Sequence, residues 1–141
     1  AALLESVARD SRAADRPLLL EIGSDVPLVS ADQLVLRRIV ENLISNALDS
    51  LTSPGDTVTL SATGALDGGA RPVARLAITD TGSGMTREEL DRAFQDYHTT
   101  KPGGTGLGLS VVRRLVADLG GSLRVRTAPG EGTTVTLDLP T

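Results

Sequence analysis

Two asparagines, an acid at a strand end and a run of glycines are the residues of this 141-residue chain whose types and spacing suit ligand chemistry. Asn42 and Asn46 stand four positions apart, so on a helix they point the same way. Helix interiors disfavour asparagine, whose amide competes for backbone hydrogen bonds. Either one alone fits a solvated polar face; two on one stripe make a case for a site, because an amide oxygen is a suitable hard ligand for Mg2+. The second segment, Ala77-Ile78-Thr79-Asp80-Thr81-Gly82-Ser83-Gly84-Met85, is a strand ending in an acid and followed by spaced glycines. An ordinary strand-to-helix turn uses the same residues. Alternatively Asp80 accepts from an exocyclic amine, Ile78 and Met85 wall a ring, and the glycines let the backbone approach a ligand. The third segment, Lys101-Pro102-Gly103-Gly104-Thr105-Gly106-Leu107-Gly108-Leu109-Ser110, feeds four glycines into a helix. Unobstructed backbone amides at the positive end of a helix make a phosphate cradle. A linker is the alternative, but it gives no reason for glycine to continue into the first turn at Gly106 and Gly108. Dinucleotide and P-loop patterns are spelled differently, because no strand precedes these glycines and no Gly-Lys-Ser/Thr ending is present.

The elements that must position these residues follow from periodicity. Ser30-Ala31-Asp32-Gln33 resembles a capping box in which Ser30 caps and Gln33 reaches back. The helix it opens runs to about Leu51, with Leu36, Val40, Leu43, Ala47 and Leu51 as a buried stripe widened by Ile39, Ile44 and Leu48. The asparagines are expected on the opposite face. A second box, Thr86-Arg87-Glu88-Glu89, starts a shorter helix carrying Leu90, Ala93 and Phe94. A third spans about Leu107 to Leu119 and is ended by Gly120-Gly121. Alternation predicts strands at 58–62, 74–78, 123–125 and 135–139, an apolar run adds Leu18 to Ile22, and Thr63 to Pro72 is expected as a hairpin tip. Strands wet on one side predict an α+β fold. It is a two-layer α/β sandwich, a mostly antiparallel mixed sheet covered on one face by about three helices, forming one domain over 1–141.

Composition narrows the function. Fourteen basic against 18 acidic residues, net −4, leave no positive excess for a nucleic acid or an anionic membrane. With no cysteine and one histidine, thiol catalysis, thiolate zinc sites and His-rich metal sites are excluded, and a reducing, cytoplasmic setting is expected. No stretch approaches the length of a membrane span, so any anchor is expected elsewhere in a longer protein. The core is aliphatic, with 22 Leu, 12 Val and 4 Ile; the two aromatics, Phe94 and Tyr97, and His98 cluster within five residues.

Asn…Asn on a helix, Asp-x-Gly-x-Gly, then Gly-Thr-Gly-Leu-Gly-Leu, in this order and with these gaps, resembles the ATP-binding catalytic domain of sensor histidine kinases. Its Bergerat fold is shared by type II topoisomerases, mismatch-repair ATPases and a heat-shock chaperone. Ala31-Asp32 is similar to the family's usual lead-in, and Gly130-Glu131-Gly132-Thr133-Thr134 resembles its closing motif. The resemblance implies ATP and Mg2+ as cofactors and makes Asn42 and Asn46 the catalytic positions, with Asn46 the Mg2+ ligand and Asn42 close to the phosphates. It implies Asp80 on the adenine amine, Gly82, Gly84, Met85 and Thr133 around the base, and Gly104, Thr105, Gly106, Leu107 and Gly108 around the phosphates. Residues 95–105 become a lid hinged near Phe94, with Lys101 either a phosphate contact or a solvated lysine.

Within that superfamily, relatives that hydrolyse ATP typically carry a glutamate four residues before the magnesium asparagine. Here that position is Asn42, and an amide cannot take a proton. Glu41 is rotated about 100° around the helix. Asparagine is ordinary there in histidine kinases, where an imidazole attacks without a base on this domain. His98, followed by Thr99-Thr100 rather than an acid, is expected in the lid and not as phosphoacceptor. Asp49 stands where many members have lysine, and Tyr97-His98 where Phe-Phe is frequent. The implied function is transfer of the ATP γ-phosphate to a histidine on a separate dimerisation domain, with a response regulator downstream and neither nucleic acid nor membrane as partner. The alternatives are a Bergerat-fold ATPase and a nucleotide-binding regulatory module.

Overall fold

Period-2 apolar alternation dominates the second half of the chain, and strands form there with their inward residues in register. The computed structural model describes residues 2–12, 18–94 and 108–141. In chain order the elements are α1 (Ala2–Arg12), β1 (Leu18–Ile22), α2 (Gln33–Asp49), β2 (Val58–Leu66), β3 (Pro72–Asp80), α3 (Arg87–Ala93), α4 (Leu109–Asp118), β4 (Ser122–Thr127) and β5 (Thr133–Pro140). The five strands form one sheet in the order β1-β2-β3-β5-β4, parallel only between β1 and β2. Leu60 lies opposite Ile78 and Ile78 opposite Val135; Ala62 opposite Leu76 and Leu76 opposite Leu137. These rows are buried and face the helices, while Ser61, Ala77 and Thr136, between them, face outward.

The expected α+β sandwich is therefore observed, with four helices among the described residues rather than about three. The addition is α1, whose Leu4, Val7 and Ala8 are buried against the rest of the core. Arg37 Nη1 of α2 donates to the Ser6 hydroxyl at 2.9 Å, tying α1 to α2. No helix of the described residues is long and apolar enough to cross a membrane.

Several boundaries move for physical reasons. Asp32, not Ser30, is the N-cap of α2: its carboxylate accepts the N–H groups of Leu34 at 2.9 Å and Val35 at 3.2 Å. A carboxylate caps as well as a hydroxyl and adds favourable charge at the positive helix end. The helix stops at Asp49, with Ser50 as C-cap, short of Leu51. At α3 the expected box forms, Thr86 and Glu89 each accepting the other's backbone N–H. α4 starts at Leu109 after Gly108 and ends as expected: Gly120 takes φ +79° and the N–H groups of Gly120 and Gly121 bond back to Ala117 and Val116. The β2–β3 ladder extends to Leu66↔Pro72, so the hairpin tip is only 67–71, where Asp67 Oδ1 accepts the N–H groups of Gly69 and Arg71.

Candidate functional site

Asp80 is the last residue of β3 and is 5% exposed. Register places it between Val58 of β2 and Thr133 of β5, so its side chain turns toward the helices in line with that of Thr133. Next along the row, the Thr127 hydroxyl of β4 lies 2.8 Å from that of Thr133 and accepts the Met85 N–H at 2.9 Å. The Asp80 carboxylate accepts the Gly82 N–H at 2.9 Å, and among the described residues no cation pairs with it. A strand end with a buried acid and a row of hydroxyls is suited to the polar edge of a ring.

The glycines around Asp80 also make close contacts within the protein. A β-carbon on Gly82 would overlap the carbonyl of Ser50, and the Ser83 N–H donates to that same carbonyl at 3.1 Å. At Gly84, φ is +66° and a β-carbon would overlap the Ala128 carbonyl. Here the glycines let three backbone segments meet, the loop after β3, the end of α2 and the β4–β5 turn, bringing Gly82, Gly84, Met85 and Thr133 together around Asp80.

Ser50 also fixes where the asparagines lie, because Asn46 is one turn, about 6 Å, back along α2 from it. The two are not opposite the apolar stripe. At 100° per residue both fall within about 60° of Ile39, and Asn42 is 1% exposed. The helix is packed by the sheet, α1 and α4 at once, so its buried sector is wider than a single-stripe reading allows. Asn42 Nδ2 donates to the Arg38 carbonyl at 2.7 Å, which answers how a helix tolerates it.

α4 packs against α2 and opens at Gly108, which has no side chain to cap the first turn. Ser110, in that turn, has a buried hydroxyl with no hydrogen-bond partner among the described residues. Sequence reasoning passed it over as the end of the glycine run; a serine two positions into a helix behind a glycine cap was the available signal. Arg113 of the same helix stacks its guanidinium 4.6 Å from the centroid of the Phe94 ring, which is half-buried against the core. Lys101, Gly104, Thr105, Gly106 and Leu107, with Tyr97 and His98, lie outside the described residues.

The residues present fit a nucleotide. A buried hydroxyl with no partner among the described residues, in the first turn of a helix led by glycine, suits phosphate oxygens, and the buried acid suits a base amine. Among the described residues no group of three His, Cys, Asp or Glu could hold a metal ion. Magnesium would have to rely on an asparagine oxygen together with phosphates and water, a coordination Mg2+ accepts.

The sequence pattern described as "Histidine kinase-, DNA gyrase B-, and HSP90-like ATPase" matches residues 31–141. Sensor histidine kinase ZraS of Escherichia coli (strain K12) is 35% identical over 138 residues, 97% of this chain and 28% of its own length. The mycobacterial sensor histidine kinase MprB superposes with a TM-score of 0.77 at 29% identity, covering 99% of this chain and 92% of that one. Full-length ShkA, solved in complex with AMPPNP, superposes with a TM-score of 0.79 at 32% identity, covering 99% of this chain and 29% of that one. The chain thus spans less than a third of ZraS. The chain belongs to the histidine kinase-, DNA gyrase B- and HSP90-like ATPase family, as an ATP-binding catalytic domain of the sensor histidine kinase type.

Proposed function

We propose that this domain binds Mg-ATP and transfers the γ-phosphoryl group to a histidine on a separate helical dimerisation domain of the same kinase, for onward transfer to a response regulator. The observation that carries the reading is the buried Asp80 carboxylate, without a cation among the described residues, at the strand end beside the helix of Asn42 and Asn46. In this reading Asp80 accepts from the adenine amine, with Gly82, Gly84, Met85 and Thr133 around the base. Asn46 offers its amide oxygen to the metal and Asn42 borders the phosphates. The backbone of Gly104, Thr105, Gly106, Leu107 and Gly108 at the start of α4 holds the phosphate oxygens, and Lys101 adds a charge contact. Magnesium, when bound, neutralises charge developing on the transferred group. Catalysis here is orientation: the domain holds the donor and the partner helix brings the nucleophile. Asn42 cannot take a proton, which favours an imidazole acceptor over water. The work of the domain is placed in the cytoplasm.

The test mixes this domain, γ-labelled ATP and the cognate helical domain, and looks for acid-labile phosphohistidine. Label should appear on the helical domain and disappear with Asn46→Asp. Steady phosphate release without the partner would favour an ATPase instead, and nucleotide binding with neither product would favour a regulatory module.

A further inference from the structure

Thr81, the residue directly after Asp80, is tied to the loop leaving α2 by hydrogen bonds whose members have no part in the function above. Beyond the Val58↔Asp80 pair the β2–β3 ladder continues for half a step. The Thr81 N–H donates to the Thr57 carbonyl at 3.1 Å, and the Thr57 N–H donates at 2.9 Å to the Thr81 hydroxyl. A side-chain oxygen thus stands in for a ladder carbonyl, and the backbone is free to turn away directly after Asp80. A hydroxyl has one proton to give. That of Thr81 goes to Asp56 Oδ1, 3.2 Å away, which leaves a lone pair for the Thr57 N–H. The other Asp56 oxygen accepts the N–H groups of Ser53 at 2.9 Å and Thr52 at 3.1 Å, in the loop that follows α2. Those backbone bonds, Ser53 first, with a contribution from the Thr81 hydroxyl, hold the Asp56 carboxyl below its ordinary range, so at neutral pH it is an acceptor only.

We infer that Asp56 and Thr81 are positioning residues for base recognition: through the Thr81 hydroxyl they set the direction in which Asp80 presents its carboxylate relative to α2, and with it the preference for a base bearing an exocyclic amine. This rests on the reading of Asp80 as the base acceptor. Both residues act through Asp80. Gly82 reinforces the same geometry by packing on Ser50, so the clasp orients the acid against the helix that carries the asparagines.

The experiment measures affinities of the parent domain, Thr81→Val, Thr81→Ser and Asp56→Asn for two probes by calorimetry. One probe is a non-hydrolysable ATP analogue; the other is the triphosphate of purine riboside, which lacks the amine. The parent should prefer the ATP analogue. Thr81→Val should weaken that probe about tenfold, the size of one misdirected hydrogen bond, and leave the amine-free probe within about twofold, so the preference collapses. Thr81→Ser should restore it. Asp56→Asn, at a half-buried position and of nearly the same size, should fall between, and it keeps the inference testable if the valine variant fails to fold. Equal weakening of both probes would mark a merely structural role and overturn the inference, as would an unchanged preference. A parent domain that does not distinguish the probes would instead overturn the base-acceptor reading itself.

Discussion

Two buried carboxylates sit on neighbouring strands of the same sheet and have opposite fates. Asp138, near the end of β5 and 8% exposed, faces outward; Asp80, at the end of β3 and 5% exposed, faces the helices. Asp138 is saturated. Arg75 Nε and Nη2 grip its two oxygens at 2.7 and 3.0 Å, and Arg124 lies 3.6 Å away. The Arg75 hydrogen bond, opposed by partial burial, holds the Asp138 carboxyl below the usual range. Asp80 has one backbone N–H and no cation among the described residues. Burial alone therefore does not mark the site. A buried acid whose charge is already matched is structural, and one with acceptor capacity left over among the described residues is the one the proposed function assigns to a ligand donor.

The largest effect that would break this contrast is at Asp80. Asp80→Asn should lower affinity for an ATP analogue about 10- to 100-fold, the range for a bond to a charged acceptor, with the melting temperature little changed; calorimetric titration within twofold of the parent would erase the distinction. Asp138→Ala should do the reverse. It strands Arg75 and costs about 1–2 kcal/mol, which thermal melts would show as a drop of about 3–8 °C, while the folded variant still binds nucleotide normally. The pH dependence sharpens the same point. Because the folded carboxyl is depressed, Asp138 contributes stability above its unfolded value near 3.8 and surrenders it as pH falls through that value toward the lower folded one. Melts between pH 3 and 7 should therefore show the parent and Asp138→Asn diverging as pH rises and converging at the acid end. The smallest effect is expected at Thr79→Val, also outward-facing, whose hydroxyl meets that of Thr134 at 3.2 Å. It should cost under about 0.5 kcal/mol and leave nucleotide titrations unchanged.

Much of this was legible in the residues, because alternation and capping chemistry are local. The strand rows, the Thr86–Glu89 box and the Gly120 stop follow from neighbours within a few positions. Asp80 at a strand end was also readable, and register then supplied Thr133. Other features depend on what arrives from far along the chain. Asn42 looks surface-exposed until α1 and α4 close over α2, and the need for glycine at 82 and 84 comes from Ser50 and Ala128, not from anything in the motif itself. α1 was recoverable, since Leu4, Val7 and Ala8 fall at helical spacing, but eleven residues carry a short pattern. The Asp56–Thr81 clasp joins positions 25 apart and leaves no periodic trace.

The one parallel pairing among the described strands bears on how the chain assembles. β2–β3 and β4–β5 are hairpins, each closed by a short turn, whereas Leu18 meets Val58 only after α2 has crossed over the sheet. Loop-closure entropy favours the hairpins first and β1 last. Amides of β1 should then lose protection before those of β3 and β5 in native-state hydrogen exchange. Until β1 arrives, the outer edge of β2 offers unpaired N–H and C=O groups beside Val58, Leu60 and Ala62, the template on which a half-assembled chain would join another and aggregate.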